Sequence, residues 1–410
     1  MSVLTPLKLS SAGRFAPLDG YRAIAALTVV VVHAAEGLRV VEDHPVLGAN
    51  FIGYFAVVIF FTMSGFLVYK PFVARHLQDR PAPATRRFLW QRLLRIYPLY
   101  WVVVTVYFLQ GNQNVPGLWG YVRVYALFQI YSPDTFGRGI LAAWTLAVDI
   151  SFYLVVPLLA LAARAIARRI GTSRLARLQG EIVMVVLFAL IGPVWRCFWL
   201  LQGTTRLVDI WLPSQADFFG IGMAFAVGVT WIEQGGGVPK AMRWLADRPS
   251  VCFGAALAMF VLLGQLDLPL SQINPIDAFK MTPSDQMARY GIYAVAAFFV
   301  FIPAVLGRQA ALSHRVMSSR PLRVMSELSF GLYLWHMLFL IHAADWLGGK
   351  DVADFWPTLY IALVLSLLAS AVTYLTVERP TARLRDLGRH RLITEPPPAP
   401  RDEQPVRPTA

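Results

Sequence analysis

Long apolar runs recur along the whole chain, and they constrain its fold more than any other feature. About ten of these runs reach or approach the length of about 20 residues that crosses a bilayer as a helix. Only 15% of the 410 residues are charged, whereas a soluble protein is nearer to about 25%. The sequence therefore predicts an all-α fold, a polytopic membrane bundle of about ten transmembrane helices.

The hydropathy pattern also divides the chain into segments. It predicts spans at roughly 19–40, 50–71, 95–110, 141–163, 181–201, 208–232, 250–268, 287–307, 324–347 and 354–377. We expect 1–18 to be an N-terminal segment, 19–380 the transmembrane domain and 381–410 a largely disordered tail, because the end is rich in proline and charge. The start lacks the pattern of a cleaved signal peptide, so the first span is expected to remain as an anchor.

The distribution of positive charge predicts the orientation. If the N-terminus is cytoplasmic, 29 of the 37 lysines and arginines fall on the cytoplasmic side, which is the asymmetry that the positive-inside rule describes. Both termini are therefore expected to be cytoplasmic. A net charge of +13 suggests nucleic-acid binding in a soluble protein, but here it reflects topology, and no nucleic-acid partner is expected.

Four ionisable residues inside the predicted spans fall at a similar depth. They are His33, Asp149, Asp217 and His336. Such residues are costly in a membrane and usually face a protein interior or a water-filled cavity. His33 lies three helical turns beyond Arg22 on the same helix face, about 16 Å deeper in the membrane. A histidine near an acid suits general-base chemistry, although a buried neutral histidine and a structurally paired aspartate remain alternatives.

A second candidate site lies at the predicted cytoplasmic mouth of the third span. Arg92 and Arg95 are three residues apart and point the same way, and arginine binds phosphate through paired charge-assisted hydrogen bonds. Anchoring to lipid headgroups is the alternative. In the second span, Gly65 is explained by close helix packing, whereas Ser64 can also contact a ligand.

Several motifs, in order, make the chain resemble the acyltransferase 3 family of integral-membrane acyltransferases. The motifs are "LDGYRAIAALTVVVVH", "FFTMSGFLV", "RLLRIYPLYW", "WTLAVDISFYLVVP", "ADFFGIGMAFA", "GLYLWHM" and "VERP". Together they cover the chain from about Leu18 to Pro380. The resemblance departs at one position, where Asp149 stands in place of the usual glutamate.

The resemblance implies an O-acyltransferase that moves an acyl group, acetyl or another short one, from cytoplasmic acyl-CoA to a hydroxyl. The acceptor would be an envelope or lipid-linked glycan, or a small-molecule glycoside. His33 would be catalytic, as base or transient acyl carrier, with Asp149 beside it. The acyl-CoA would be bound by Arg22, Arg92, Arg95 and Ser64, and the site would be supported by His336, Asp217, Trp144 and Tyr153.

The remaining expectations follow from the same reading. Acyl-CoA is a co-substrate, and neither a bound cofactor nor a metal is expected. The protein is expected in a lipid bilayer, as a multi-pass protein of the bacterial inner membrane. The alternative function is a proton-coupled transporter or flippase, since histidines and aspartates at this depth also serve as proton relays.

Overall fold

Apolar α-helices make up most of the described part of the chain. The computed structural model describes residues 15–37, 50–110, 115–202, 207–265, 283–309, 311–348 and 354–390. Within these ranges every regular element is helical. The α-helices, in chain order, are α1 Ala16–Gly37, α2 Asn50–Leu77, α3 Thr85–Leu109, α4 Gly117–Tyr125, α5 Trp144–Ile170, α6 Arg174–Leu201, α7 Leu212–Glu233, α8 Lys240–Ala246, α9 Pro249–Gln265, α10 Pro283–Val305, α11 Leu312–Met317, α12 Arg320–Leu347, α13 Phe355–Thr373 and α14 Arg379–His390.

The number of candidate spans agrees with the sequence prediction. Among the described residues, nine helical segments are long and apolar enough to cross a membrane, and the bent pair α8–α9 makes a tenth if it is one span. The two helices of that pair meet at 89°. The predicted all-α membrane bundle is therefore confirmed.

The third span begins ten residues earlier than its apolar run suggested. α3 starts at Thr85, ahead of the strongly apolar part, because the stretch "TRRFLWQRLLR" continues the helix with strong helix formers. Arg92 and Arg95 consequently lie two to three turns inside α3 rather than at its mouth.

The two predicted terminal segments are described only in part. α1 begins at Ala16, and residues 1–14 lie outside the described ranges. α14 runs to His390, so the first residues of the predicted tail are helical, and residues 391–410 lie outside the described ranges.

Helix α2 lies at the centre of the bundle and packs most closely on α7. Of the candidate spans it has the largest buried share. A Cβ atom added at Gly65 would strike the Phe219 carbonyl of α7, and one at Gly222 of α7 would strike the Thr62 carbonyl of α2. Small residues thus let the two backbones touch, as in other membrane helix pairs, and the packing interpretation of Gly65 is confirmed.

Helix α1 joins this central pair to α12 and α13. Its small alanines, Ala26 and Ala34 among them, pack with Leu332 and Leu340 of α12 and with Phe355 of α13. α1 and α12 both begin at the same end of the bundle, since Gly20 of α1 touches the backbone of Met317, just before α12. We call this the basic end of the bundle.

Candidate active site

A cavity of about 450 Å³ opens among six helices near the basic end. Its polar lining comes from the first turns of α1, the middle of α2 and α3, the first halves of α5 and α12, the segment that leads into α14 and the first turn of α14. The polar and charged residues that line it are Asp19, Arg22, Ser64, Arg92, Arg95, Thr145, Asp149, Tyr153, Ser326, Glu327, Ser329, Tyr333, Tyr374, Glu378, Arg379 and Thr381. All four residues for which acyl-CoA binding is predicted are on this wall.

Arginines form one side of the cavity. Arg22 comes from α1, Arg92 and Arg95 from α3, and Arg379 from the start of α14. The Arg92 guanidinium lies 5.7 Å from the ring centres of both Phe88 and Tyr153, two rings that pack edge to face, so it makes cation–π contacts with both. Tyr153 contacts Arg92 and also lines the cavity itself.

Asp149 lies with the arginines. The Ser64 hydroxyl is within hydrogen-bonding reach of its carboxylate, and Arg92 and Arg95 supply the positive charge nearby. Its Oδ1 atom is buried and accepts no hydrogen bond from a described residue. The structure therefore brings Asp149 together with the predicted donor-binding residues, and the contacts of His33 are with other groups.

His33 of α1 is paired with His336 of α12. Nδ1 of His33 lies 2.8 Å from Nε2 of His336, and the two rings are nearly parallel, 5.1 Å apart. Nδ1 of His336 lies 2.7 Å from the Tyr333 carbonyl oxygen, one turn back on the same helix. His336 is fully buried, whereas the His33 side chain is 23% exposed.

A carboxylate that the sequence analysis did not single out lies beside His33. Nε2 of His33 is 4.0 Å from Oε2 of Glu36, and the other carboxylate oxygen of Glu36 is buried without a hydrogen-bond partner among the described residues. The available signal was spacing alone: Glu36 follows His33 by three residues, so both lie on one helix face.

Tyr333 stands between the cavity and the histidine pair. Its hydroxyl lies 2.7 Å from the Thr145 hydroxyl and donates to the Ala142 carbonyl, which fixes the ring at the inner end of the cavity. His336 follows three residues later, about 4.5 Å further along α12. The cavity thus ends one helical turn short of the two histidines.

The structure places Asp217 in a separate cluster. Its carboxylate pairs with Arg196 of α6, at 2.5 Å and 3.2 Å, in the two-point geometry typical of arginine and carboxylate. Arg196 also lies over the Tyr290 ring, 4.5 Å from its centre. The charge of Asp217 is thereby neutralised by an ion pair that joins α6 to α7.

Trp144, the first residue of α5, packs beside the cavity without lining it. Its ring lies 6.1 Å from Phe61, a cavity residue, and 6.3 Å from Tyr54. Tyr54 in turn bonds to Tyr290 of the Asp217 cluster, at 2.6 Å. Trp144 therefore joins the cavity wall to that cluster.

The chain is similar to a known family and to known proteins over nearly its whole length. A family described as an acyltransferase domain, acyltransferase 3, matches residues 15–375. Nodulation protein 10 of Rhizobium leguminosarum bv. viciae is 24% identical, over 93% of this chain and 96% of its own length. Acyltransferase MdmB of Streptomyces mycarofaciens is 26% identical, over 96% and 97% of the two chains.

A third relative is longer than this chain. Peptidoglycan O-acetyltransferase OatA of Listeria monocytogenes is 22% identical, over 78% of this chain and 48% of its own length. No solved structure is significantly similar. With its apolar helices and a family match over nearly its whole length, the chain belongs to the acyltransferase 3 family and is a multi-pass membrane O-acyltransferase.

Proposed function

We propose that this protein transfers a short acyl group from acyl-CoA to a hydroxyl of a glycan or glycoside, with His33 as the catalytic residue. One observation carries the proposal. A part-exposed histidine, held by a second histidine, lies one turn beyond a cavity whose other end is lined with arginines. This arrangement provides a binding site for an anionic donor and a base for the acceptor within one bundle.

The arginines support acyl-CoA as the donor. CoA carries phosphates on a soluble head, and arginine donates planar pairs of charge-assisted hydrogen bonds to phosphate. The positive-inside rule predicts that the basic end faces the cytoplasm of a bacterial inner membrane, where acyl-CoA is available. The pantetheine arm would then extend along the cavity toward Tyr333, whose ring has to move before the thioester can reach His33.

Asp149 has a donor-side role in this proposal. Ser64 and the charges of the two arginines of α3 are the groups that act on its carboxylate, so it is proposed to orient the groups that bind the donor. Direct pairing of Asp149 with His33 is not part of the proposed mechanism.

The acceptor is proposed from the chemistry and from the relatives. A relative named as a peptidoglycan O-acetyltransferase supports a hydroxyl of an envelope glycan, and we extend the proposal to lipid-linked glycans and small glycosides. Such an acceptor would approach the exposed side of His33, away from the arginines.

Two routes use the same residues. In the first, the imidazole of His33 takes the hydroxyl proton, the hydroxyl oxygen attacks the thioester carbonyl, and the carbon–sulfur bond breaks to release CoA, which recovers the proton. In the second, the imidazole itself attacks the thioester and CoA leaves as a thiolate; the hydroxyl oxygen then attacks the acyl-imidazole, the imidazole leaves, and the hydroxyl proton goes to the CoA thiolate. Mass spectrometry of the protein incubated with acyl-CoA alone separates them, because only the second leaves an acyl group on His33.

The proposal is tested with purified protein in lipid nanodiscs, labelled acetyl-CoA and a glycan-containing membrane extract. We expect CoA release and labelled product from the wild type and from the His342→Ala variant, and neither from His33→Ala. His342 is the matched control, because it is a histidine further along α12 that bonds to Gln110 outside the cavity. Normal transfer by His33→Ala would contradict the catalytic role, and gradient-driven uptake without CoA release would instead indicate a transporter.

A further inference from the structure

The hydrogen bonds around the two histidines restrict where their protons are. The Tyr333 carbonyl can only accept, so Nδ1 of His336, 2.7 Å away, must carry a proton and donate it. In a neutral imidazole the other nitrogen is then an acceptor. Nε2 of His336 is therefore unprotonated, and it is the atom that faces His33.

The proton of His33 is restricted in the same way. Its Nδ1 atom lies 2.8 Å from that acceptor nitrogen, so Nδ1 of His33 carries the proton of this hydrogen bond. Its second nitrogen, Nε2, is left with a free electron pair. Nε2 faces Glu36 on the part-exposed side of the ring.

We propose that His336 holds His33 in the Nδ1-protonated form, so that Nε2 is the reactive atom, and that Glu36 stabilises the imidazolium that forms when Nε2 takes a proton. This inference rests on the proposed function. It makes His336 a positioning residue and gives Glu36 the partner role that the sequence analysis assigned to Asp149.

The burial of the two rings supports this division. His336 is fully buried and has no carboxylate among its hydrogen-bond partners in the described residues, so a positive charge there would be poorly solvated. His33 is part-exposed and has a carboxylate 4.0 Å away. The positive charge of the reaction is therefore held on His33, while His336 supplies only orientation.

The Glu36 carboxylate can also accept further hydrogen bonds. Its Oε1 atom is buried without a hydrogen-bond partner among the described residues, and the 4.0 Å gap from Oε2 to Nε2 is longer than a hydrogen bond. An acceptor hydroxyl that enters beside Nε2 would meet this carboxylate at the same time. Glu36 is thus placed to act on the reacting atoms as well as on the ring.

Three substitutions at one position test the positioning role. Glutamine at 336 places an amide oxygen near the position of Nε2 and can accept from His33, whereas asparagine places its amide near Nδ1 and cannot reach His33. We expect His336→Gln to keep most of the wild-type kcat, and His336→Asn and His336→Phe to lose about tenfold or more, all with an unchanged KM for acyl-CoA. Equal kcat in the Gln and Asn variants, or a wild-type kcat in the Phe variant, would overturn the proposal.

Glu36→Gln, which keeps the size of the side chain, is expected to lower kcat about tenfold or more without changing the KM for acyl-CoA. A wild-type kcat would remove Glu36 from the proposal. A failure of these tests is distinguishable from failure of the proposed function, because inactivity of His33→Ala beside a fully active His336→Phe leaves the function intact and removes only the positioning role of His336.

Nuclear magnetic resonance of ¹⁵N-histidine-labelled protein in lipid reads the tautomer without catalysis. The His33 signals, identified by their loss in His33→Gln, are expected to show a protonated Nδ1 and a bare Nε2 in the wild type, and a mixture of tautomers in His336→Phe. A protonated Nε2 on His33 in the neutral wild type would overturn the inference even if every activity variant failed to fold.

Discussion

Arg92 is the residue whose surroundings most directly link the cavity to the donor. It lies in the cavity wall, and its guanidinium packs against the rings of Phe88 and Tyr153. A fork of donors restrained by such contacts suits a phosphate or another anionic group better than a free one does, because less freedom is lost on binding. Its expected contribution is therefore to donor affinity.

Arg92→Gln is expected to raise the KM for acyl-CoA about tenfold or more while kcat stays near that of the wild type. A charge-assisted hydrogen bond contributes about 1.5–3 kcal/mol, and about 1.4 kcal/mol is a factor of ten. Steady-state kinetics in nanodiscs measures both constants. Arg86→Gln is the matched control, since Arg86 is exposed on the same helix and does not line the cavity. An unchanged KM in Arg92→Gln would show that this arginine does not bind the donor, and would favour its alternative role in anchoring to lipid headgroups.

Part of the site could be predicted from single residues. Arg22, Arg92, Arg95, Ser64 and Asp149 were selected by spacing and depth or by motif resemblance, and the structure brings them onto one cavity. Predicted depth in the membrane does not show which residues at one level share the same site. Asp217 lies at a similar predicted level but is paired with Arg196, because depth fixes one coordinate of a residue and the packing of helices fixes the other two.

Two residues of the site were missed for different reasons. Glu36 shares a helix face with His33, but this spacing alone does not single out an acid, and its interest comes from the part-exposed ring beside it. Tyr333 gains its role from two hydrogen bonds to the start of α5, and periodicity does not predict them because they depend on how α5 and α12 approach one another.

At the level of elements, the contact between α2 and α7 holds the centre of the bundle together. Gly222→Ala is expected to destabilise the protein by about 1–3 kcal/mol, because the added methyl group meets the Thr62 carbonyl and lies 2.7 Å from the Phe66 nitrogen. The midpoint of thermal unfolding in detergent measures this change.

Gly228→Ala is the control on the same helix. No atom lies within 4 Å of a Cβ added there, and alanine favours helix over glycine by about 1 kcal/mol. It should leave the midpoint unchanged or raise it. Equal midpoints for the two variants would show that the close approach of α2 and α7 does not limit stability.

Element boundaries were predicted less well than element number. The apolar run of the third span begins near Arg95, yet α3 begins at Thr85. Hydropathy detects the part of a helix that contacts lipid, whereas hydrogen bonding extends the helix as long as the residues permit it. Short helices such as α4 and α11 leave no hydropathy signal of the length that a span requires.

For the whole molecule, the orientation in the membrane decides which compartment supplies the donor. In a background with Cys197 and Cys252 replaced by serine, a cysteine at exposed Arg86 marks the basic end, and one at exposed Asp345 marks the far end of α12. We expect a membrane-impermeant maleimide to label the Asp345→Cys protein in intact cells, and the Arg86→Cys protein only after permeabilisation. The reverse pattern would place the arginines outside the cell and exclude cytoplasmic acyl-CoA as the donor.

Tyr333 contacts the cavity with its side chain and the histidine pair with its main chain. Its phenol group closes the inner end of the cavity through Thr145 and Ala142, while its main-chain carbonyl accepts a hydrogen bond from Nδ1 of His336. Side-chain torsions move the phenol but leave a helical carbonyl where it is. Access to the histidines and the orientation of their ring nitrogens can therefore change independently. The inner end of the cavity can widen for substrates of different size while Nε2 of His33, the proton-accepting atom, keeps its direction.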